Sequence, residues 1–170
     1  MTAQQFVQLL AARVGQCASI DPEDRTIPVK YDVGRSVWVF RRGSEDPLFQ
    51  DDEKSRNPLA LIQGGRIELY IRIRELKQRT AEVVAYRLAF FNLPGNANQI
   101  TSLRYDQGQG YPKGQGWDDV LADNPEHPHA HLHMNFHSSE ETNHCRLPTG
   151  PVCPILLLRS FDHWYYSTFI

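Results

Sequence analysis

The sequence predicts an α+β fold: an N-terminal helix followed by a mostly antiparallel β-sheet with long irregular loops. Three observations predict it. Phe6, Leu9, Leu10 and Val14 recur at helical spacing within residues 2–15, and Thr2 stands where an N-cap belongs. Residues 66–74 alternate strictly, with Ile67, Leu69, Ile71 and Ile73 between Arg66, Glu68, Tyr70, Arg72 and Arg74. That is the pattern of a strand with one buried face. The segment HAHLHMNF, residues 129–136, alternates again, with Ala130, Leu132, Met134 and Phe136 against His129, His131, His133 and Asn135.

The remaining elements follow in chain order. Pro22 and Pro28 interrupt the chain before SVWVFRR (36–42), which is rich in strand formers. Residues 43–58 are polar and acidic, and are expected to form an exposed loop. After the strand at 66–74, ELKQRT (75–80) turns the chain and EVVAYRLAFF (82–91) pairs back; ITSLRYD (100–106) adds a short strand. A long loop at 107–128 contains four glycines, and loops of that length are usually functional. The apolar, aromatic tail from 155 to 170 suits a helix or a strand, and periodicity does not decide between them. A chain of 170 residues fits one domain, spanning 1–170.

Composition narrows the function classes. Hydrophobic residues make up 41% and charged residues 22%, enough apolar side chains to bury a core. Net charge is −2, so no global field draws the chain to nucleic acid or anionic lipid, and any such partner needs a local patch. Mean hydropathy is −0.49, and no apolar run reaches the length of a membrane span. The N-terminal residues lack the pattern of a secretory signal. Cys17, Cys145 and Cys153 are odd in number, widely spaced and without a C-x-x-C, which argues against a disulfide framework or a zinc ribbon. A soluble, cytoplasmic chain with no membrane partner is expected.

The histidines carry the functional signal. All seven lie between His127 and His163. On a strand, His129, His131 and His133 form a column of imidazoles on one face while the interleaved apolar residues face the core. Three readings compete. Paired imidazoles titrating near neutrality can pass protons in phosphodiester transesterification of RNA, with the 2′-hydroxyl as nucleophile. In that reading His129, His131 and His133 are catalytic, Tyr105 and Asp106 assist, and Arg72, Arg74, Arg104 or Arg146 hold phosphate. His131→Ala is then expected to abolish activity without unfolding the chain.

A metal such as zinc is the second reading, with His129, His131 and His144 as candidate ligands. At about 3.3 Å per residue the column from His127 to His133 is too long for one ion to collect every ring. The third reading is a solvated strand face or a contact surface, as in a non-catalytic subunit or binding module of a larger protein or ribonucleoprotein complex. Tyr70 among Arg66, Arg72 and Arg74 would suit single-stranded RNA by stacking and phosphate contact, or would simply be a solvated face with Glu68 offsetting charge. Cys145 beside His144 is a further candidate nucleophile. The glycine-rich loop lacks the spacing of a phosphate-binding motif.

From residue 64 to 137 the order of parts resembles the TumE-type toxins of bacterial toxin–antitoxin pairs. The matching residues are Arg104-Tyr105-Asp106 and the stretch His127-Pro128-His129-Ala130-His131-Leu132-His133. The resemblance implies a bacterial two-gene or defence context with nucleic acid as target; joined to the histidine column, it leads to the expectation of a toxin-like or antiviral-defence protein acting on RNA, a candidate ribonuclease, with a cognate protein partner such as an antitoxin. The N-terminal helix, the acidic loop and the aromatic tail lie outside it.

Overall fold

The computed structural model describes residues 2–16, 20–43, 47–76, 80–94, 100–108, 130–136, 146–150 and 152–169. Helix α1 spans Ala3–Gln16, and Thr2 caps it: its Oγ1 accepts from the Gln5 backbone N–H, and Gln5 Oε1 accepts from the Thr2 N–H in return. Strands β1 (Val29–Asp32) and β2 (Val37–Arg42) follow a 3₁₀ turn at Pro22–Asp24. A second 3₁₀ turn (Pro47–Phe49), the one-turn helix α2 (Glu53–Arg56) and the short strand β3 (Leu59–Ala60) lead to the long hairpin of β4 (Arg66–Leu76) and β5 (Thr80–Phe91). Then come β6 (Ile100–Gly108), β7 (Ala130–Phe136), β8 (Arg146–Pro148) and α3 (Pro154–Phe169). The tail left open between helix and strand is therefore helical.

The strands form one sheet in the order β1-β2-β4-β5-β6-β7-β8, with β3 also pairing β4, and every described pairing is antiparallel. The architecture is the α+β class expected. The hydrophobic pattern sets the register, because a one-residue slip would turn the apolar side chains outward. Ile67, Leu69, Ile71 and Ile73 of β4 are buried together with Tyr86, Leu88 and Phe90 of β5 and Tyr105 of β6. The two long helices, α1 and α3, close this face. Phe6, Leu10 and Val14 come from α1, and Ile155, Leu158, Phe161 and Tyr165 from α3. Each fully buried aliphatic or aromatic side chain contributes about 1.5–3 kcal/mol. A bulge in the β4–β5 pairing at Arg72/Ile73 adds one residue, so that Val83 and Tyr86 both pack in this core. Leu9, expected on the buried stripe of α1, lies at its exposed margin.

Tyrosine hydroxyls fasten the sheet to the last helix and to the chain just before it. Tyr165 Oη donates to Gly64 O at 2.8 Å, which ties α3 to the turn before β4. Tyr86 Oη donates to Val152 O, and Tyr105 Oη donates to Gly150 O at 2.9 Å. Burial and the neighbouring Tyr105 push the Tyr86 phenol well above its ordinary range, so it stays a neutral donor. No helix among the described residues is long and apolar enough to cross a membrane.

The opposite face departs from expectation in two places. Residues 43–58 are not simply an exposed loop. Phe49 is buried with Val37 and Val39, and Leu48 and Tyr70 pack against them. Ser55 is buried, and its carbonyl accepts from Gly43 N–H at 2.8 Å. Nor is the polar side of β4 uniformly solvated, since Arg72 is buried over the Tyr70 ring, 5.2 Å from its centroid. Tyr70 and Arg72 thus serve packing at the β2 side of the sheet, three strands from β7. Arg74 is exposed and lies 3.9 Å from Glu82.

A polar cluster across three central strands

The pairing of β5, β6 and β7 places chemistry-bearing residues side by side. In register, Arg87 of β5 stands opposite Asp106 of β6, and Asp106 stands opposite His131 of β7. One step along, Ala89, Arg104 and His133 form the neighbouring row, and Arg146 of β8 is opposite His133. Alternation sends the side chains of Arg87, Ala89, Arg104, Asp106, His131 and His133 to the face away from the helices. The alternation read in residues 129–136 is realised over 130–133, where His131 and His133 share one face while Ala130 and Leu132 pack toward the core.

Asp106 is the centre of the cluster. Arg87 Nε lies 2.8 Å from its Oδ1, and Arg104 Nε lies 2.8 Å from its Oδ2. Nε2 of His133 is 3.5 Å and Nε2 of His131 3.7 Å from the same Oδ2. Burial alone would raise the carboxyl group. The His133 contact and the charges of Arg87 and Arg104 outweigh that, and hold it well below the usual carboxylate range. Asp106 is therefore a fixed anion between two guanidinium groups.

His133 holds a position with two alternatives. Its Nε2 lies 3.0 Å from Arg104 Nη2. Guanidinium groups only donate, so a neutral ring accepts there through Nε2 and carries its proton on Nδ1. A protonated ring would instead turn Nε2–H toward the Asp106 carboxylate. Each protonation state thus has a partner within reach. His131 packs against His133 at 4.6 Å between ring centroids, edge to face. Its side chain is only 2% exposed, whereas that of His133 is 12% exposed and that of Arg104 40%.

Arg104 and His133 line an open cleft of about 250 Å³, shared with Glu68, Ser102, Ala89 and Phe91. Among the expected site residues, the structure thus brings Arg104, His131 and His133 together. It turns Tyr105 to the other face, against Tyr86 and the chain before α3. His129 and His144 lie outside the described residues. Arg87 was not anticipated from the sequence, since an arginine inside EVVAYRLAFF carries no motif; its position opposite Asp106 becomes visible only in the register.

Asp106, His131 and His133 could also hold a metal ion, their ligand atoms lying within 4.8 Å of one another. The edge of a tetrahedral zinc site is about 3.4 Å, close to the two Asp106–histidine separations. The donor types fit an ion, and the two guanidinium groups on the same carboxylate oppose one. His131 differs from the sequence expectation in a measurable way. Because it is buried, His131→Ala should lower stability by about 1–3 kcal/mol as well as perturb the cluster, which denaturant unfolding would show. Unchanged stability would mean the ring is not packed as described. Compared with family models, with curated proteins and with solved structures, the chain matches none.

Proposed function

We propose that this chain is a toxin-like or defence-associated ribonuclease that cleaves RNA by acid–base chemistry at the cleft where Arg104 meets His133. One observation carries the reading. A histidine whose proton has a partner in either state stands 3.0 Å from an arginine, in a cleft open to solvent. Arg104 would hold a phosphate by its planar fork, and His133 would move a proton at the reacting centre. Asp106, His131 and Arg87 would position the pair from beneath. A cytoplasmic setting and a cognate protein partner belong to the same proposal.

The convergence of three donor atoms supports a second reading, a zinc-type centre at Asp106, His131 and His133. There the ion would act as Lewis acid on the phosphate. One experiment separates the two: untagged protein is incubated with RNA and with single-stranded DNA of the same sequence, with and without EDTA. Cleavage of RNA alone, insensitive to EDTA, is the expected result. Cleavage abolished by EDTA would move the assignment to the metal. No cleavage under any condition would overturn both and leave a non-catalytic binding module.

A further inference from the structure

Glu68 lines the same cleft as Arg104 and His133. Among the described residues no ion pair or hydrogen bond engages it, although arginines are abundant on this face of the sheet. It lies in the same ladder row, because Glu68 of β4 pairs with Ala89 of β5, Ala89 with Arg104 of β6, and Arg104 with His133 of β7. Ala89 is small, so the row carries a carboxylate at one side, an arginine and histidine at the other, and a low floor between them. The backbone makes room for the Glu68 side chain. Gly43 has φ +86°, and a Cβ there would stand 2.5 Å from Glu68 Cγ. Any other residue at 43 would have to displace the glutamate stem.

We propose that Glu68 is the general base of the cleft and that the substrate is single-stranded RNA cleaved through its own 2′-hydroxyl. The inference rests on the ribonuclease reading above and adds its missing proton acceptor. The step balances without metal or redox partner. The Glu68 carboxylate takes the proton of the 2′-hydroxyl as the 2′-oxygen forms its bond to phosphorus. The bond from phosphorus to the 5′-oxygen breaks, and protonated His133 gives its proton to that leaving oxygen. Arg104 neutralises the non-bridging oxygens while charge accumulates on them. The products are a 2′,3′-cyclic phosphate and a 5′-hydroxyl end. Glutamate suits the base role because its carboxylate oxygens accept a proton and its longer stem reaches farther from the strand than that of aspartate.

The test uses the full chain, the Glu68→Gln variant, a single-stranded RNA oligonucleotide and its all-deoxy counterpart. Glu68→Gln should lower RNA cleavage about 10²–10³-fold, while affinity for the uncleavable deoxy strand stays within about twofold of the native chain. The native reaction should leave a cyclic phosphate end, identified by mass. Cleavage by Glu68→Gln at a rate near the native one overturns the role of Glu68 alone. Loss of deoxy-strand binding in proportion to lost cleavage also overturns it, since Glu68 would then shape the cleft rather than take a proton. A native chain that cleaves no RNA overturns the underlying ribonuclease reading instead. Should Glu68→Gln fold poorly, Glu68→Ala with formate added back supplies the second variant. Partial rescue by formate supports the base, and no rescue in a folded variant overturns it.

Discussion

His133→Ala is expected to cut RNA cleavage by two to four orders of magnitude, roughly the contribution of one positioned acid or base, and to leave the fold intact. The reasoning is local. The ring is largely but not fully buried, and besides Asp106 its contacts are the edge of His131 and the guanidinium of Arg104. Arg104 has a side chain 40% exposed, so it can regain hydration when the imidazole is removed. Asp106 keeps both arginines. Stability should therefore change little while proton transfer is lost. Steady-state cleavage and a thermal melt on the same preparation measure both halves. A variant retaining more than about a tenth of the native rate would remove His133 from the chemistry. His131→Ala provides the contrast, since burial predicts a stability loss there that His133→Ala should not share.

How far the sequence carried differs between the two faces of the sheet. The helix-covered face was legible because period-two alternation over 66–74 and 129–136 is a direct consequence of strand geometry. The buried positions Ile67, Leu69, Ile71 and Ile73 bear it out. The C-terminal helix was not legible, because its Trp164, Tyr165 and Tyr166 run is apolar enough for either element, and the choice depends on packing against Phe90. The polar face was half legible. His131, His133 and Arg104 stood out as residue types, and Asp106 was noted beside them. Nothing local says that Arg87, nineteen positions before Asp106, sits opposite it. That pairing is fixed by register across β5 and β6, a non-local property. Tyr105 illustrates the same limit in reverse. It neighbours Arg104 and Asp106 in sequence, and alternation for that very reason turns it to the other side, where its hydroxyl holds the chain before α3. Burial of Phe49 was hidden because one aromatic in an acidic stretch gives no periodicity.

Asp106→Asn is expected to be the most destabilising single change in the cluster, by about 2–4 kcal/mol, within a total stability of about 5–15 kcal/mol for a domain of this kind. Asparagine keeps the shape but loses the charge, and its amide N–H₂ would face guanidinium N–H groups, donor against donor. Two arginines at 2.8 Å would be left without their carboxylate. Their partial exposure softens the loss, which keeps the figure below that of a fully buried pair. The pH dependence follows from the sign of the shift. Asp106 is held below the ordinary carboxyl value in the folded state, so the unfolded chain takes up the proton first as acid is added. Its contribution is fully present above the unfolded value of about 3.9 and is lost as pH falls from there toward the folded value. The gap between native and Asp106→Asn stability should therefore be widest at neutral pH and narrow steadily below pH ~4. Denaturant unfolding of both proteins at neutral pH and at pH ~3 measures it, and the narrowing is the part that charge alone produces. A gap that stays constant across that range would mean that Asp106 stabilises the sheet by shape and packing, not as the anion on which Arg87, Arg104 and His133 converge.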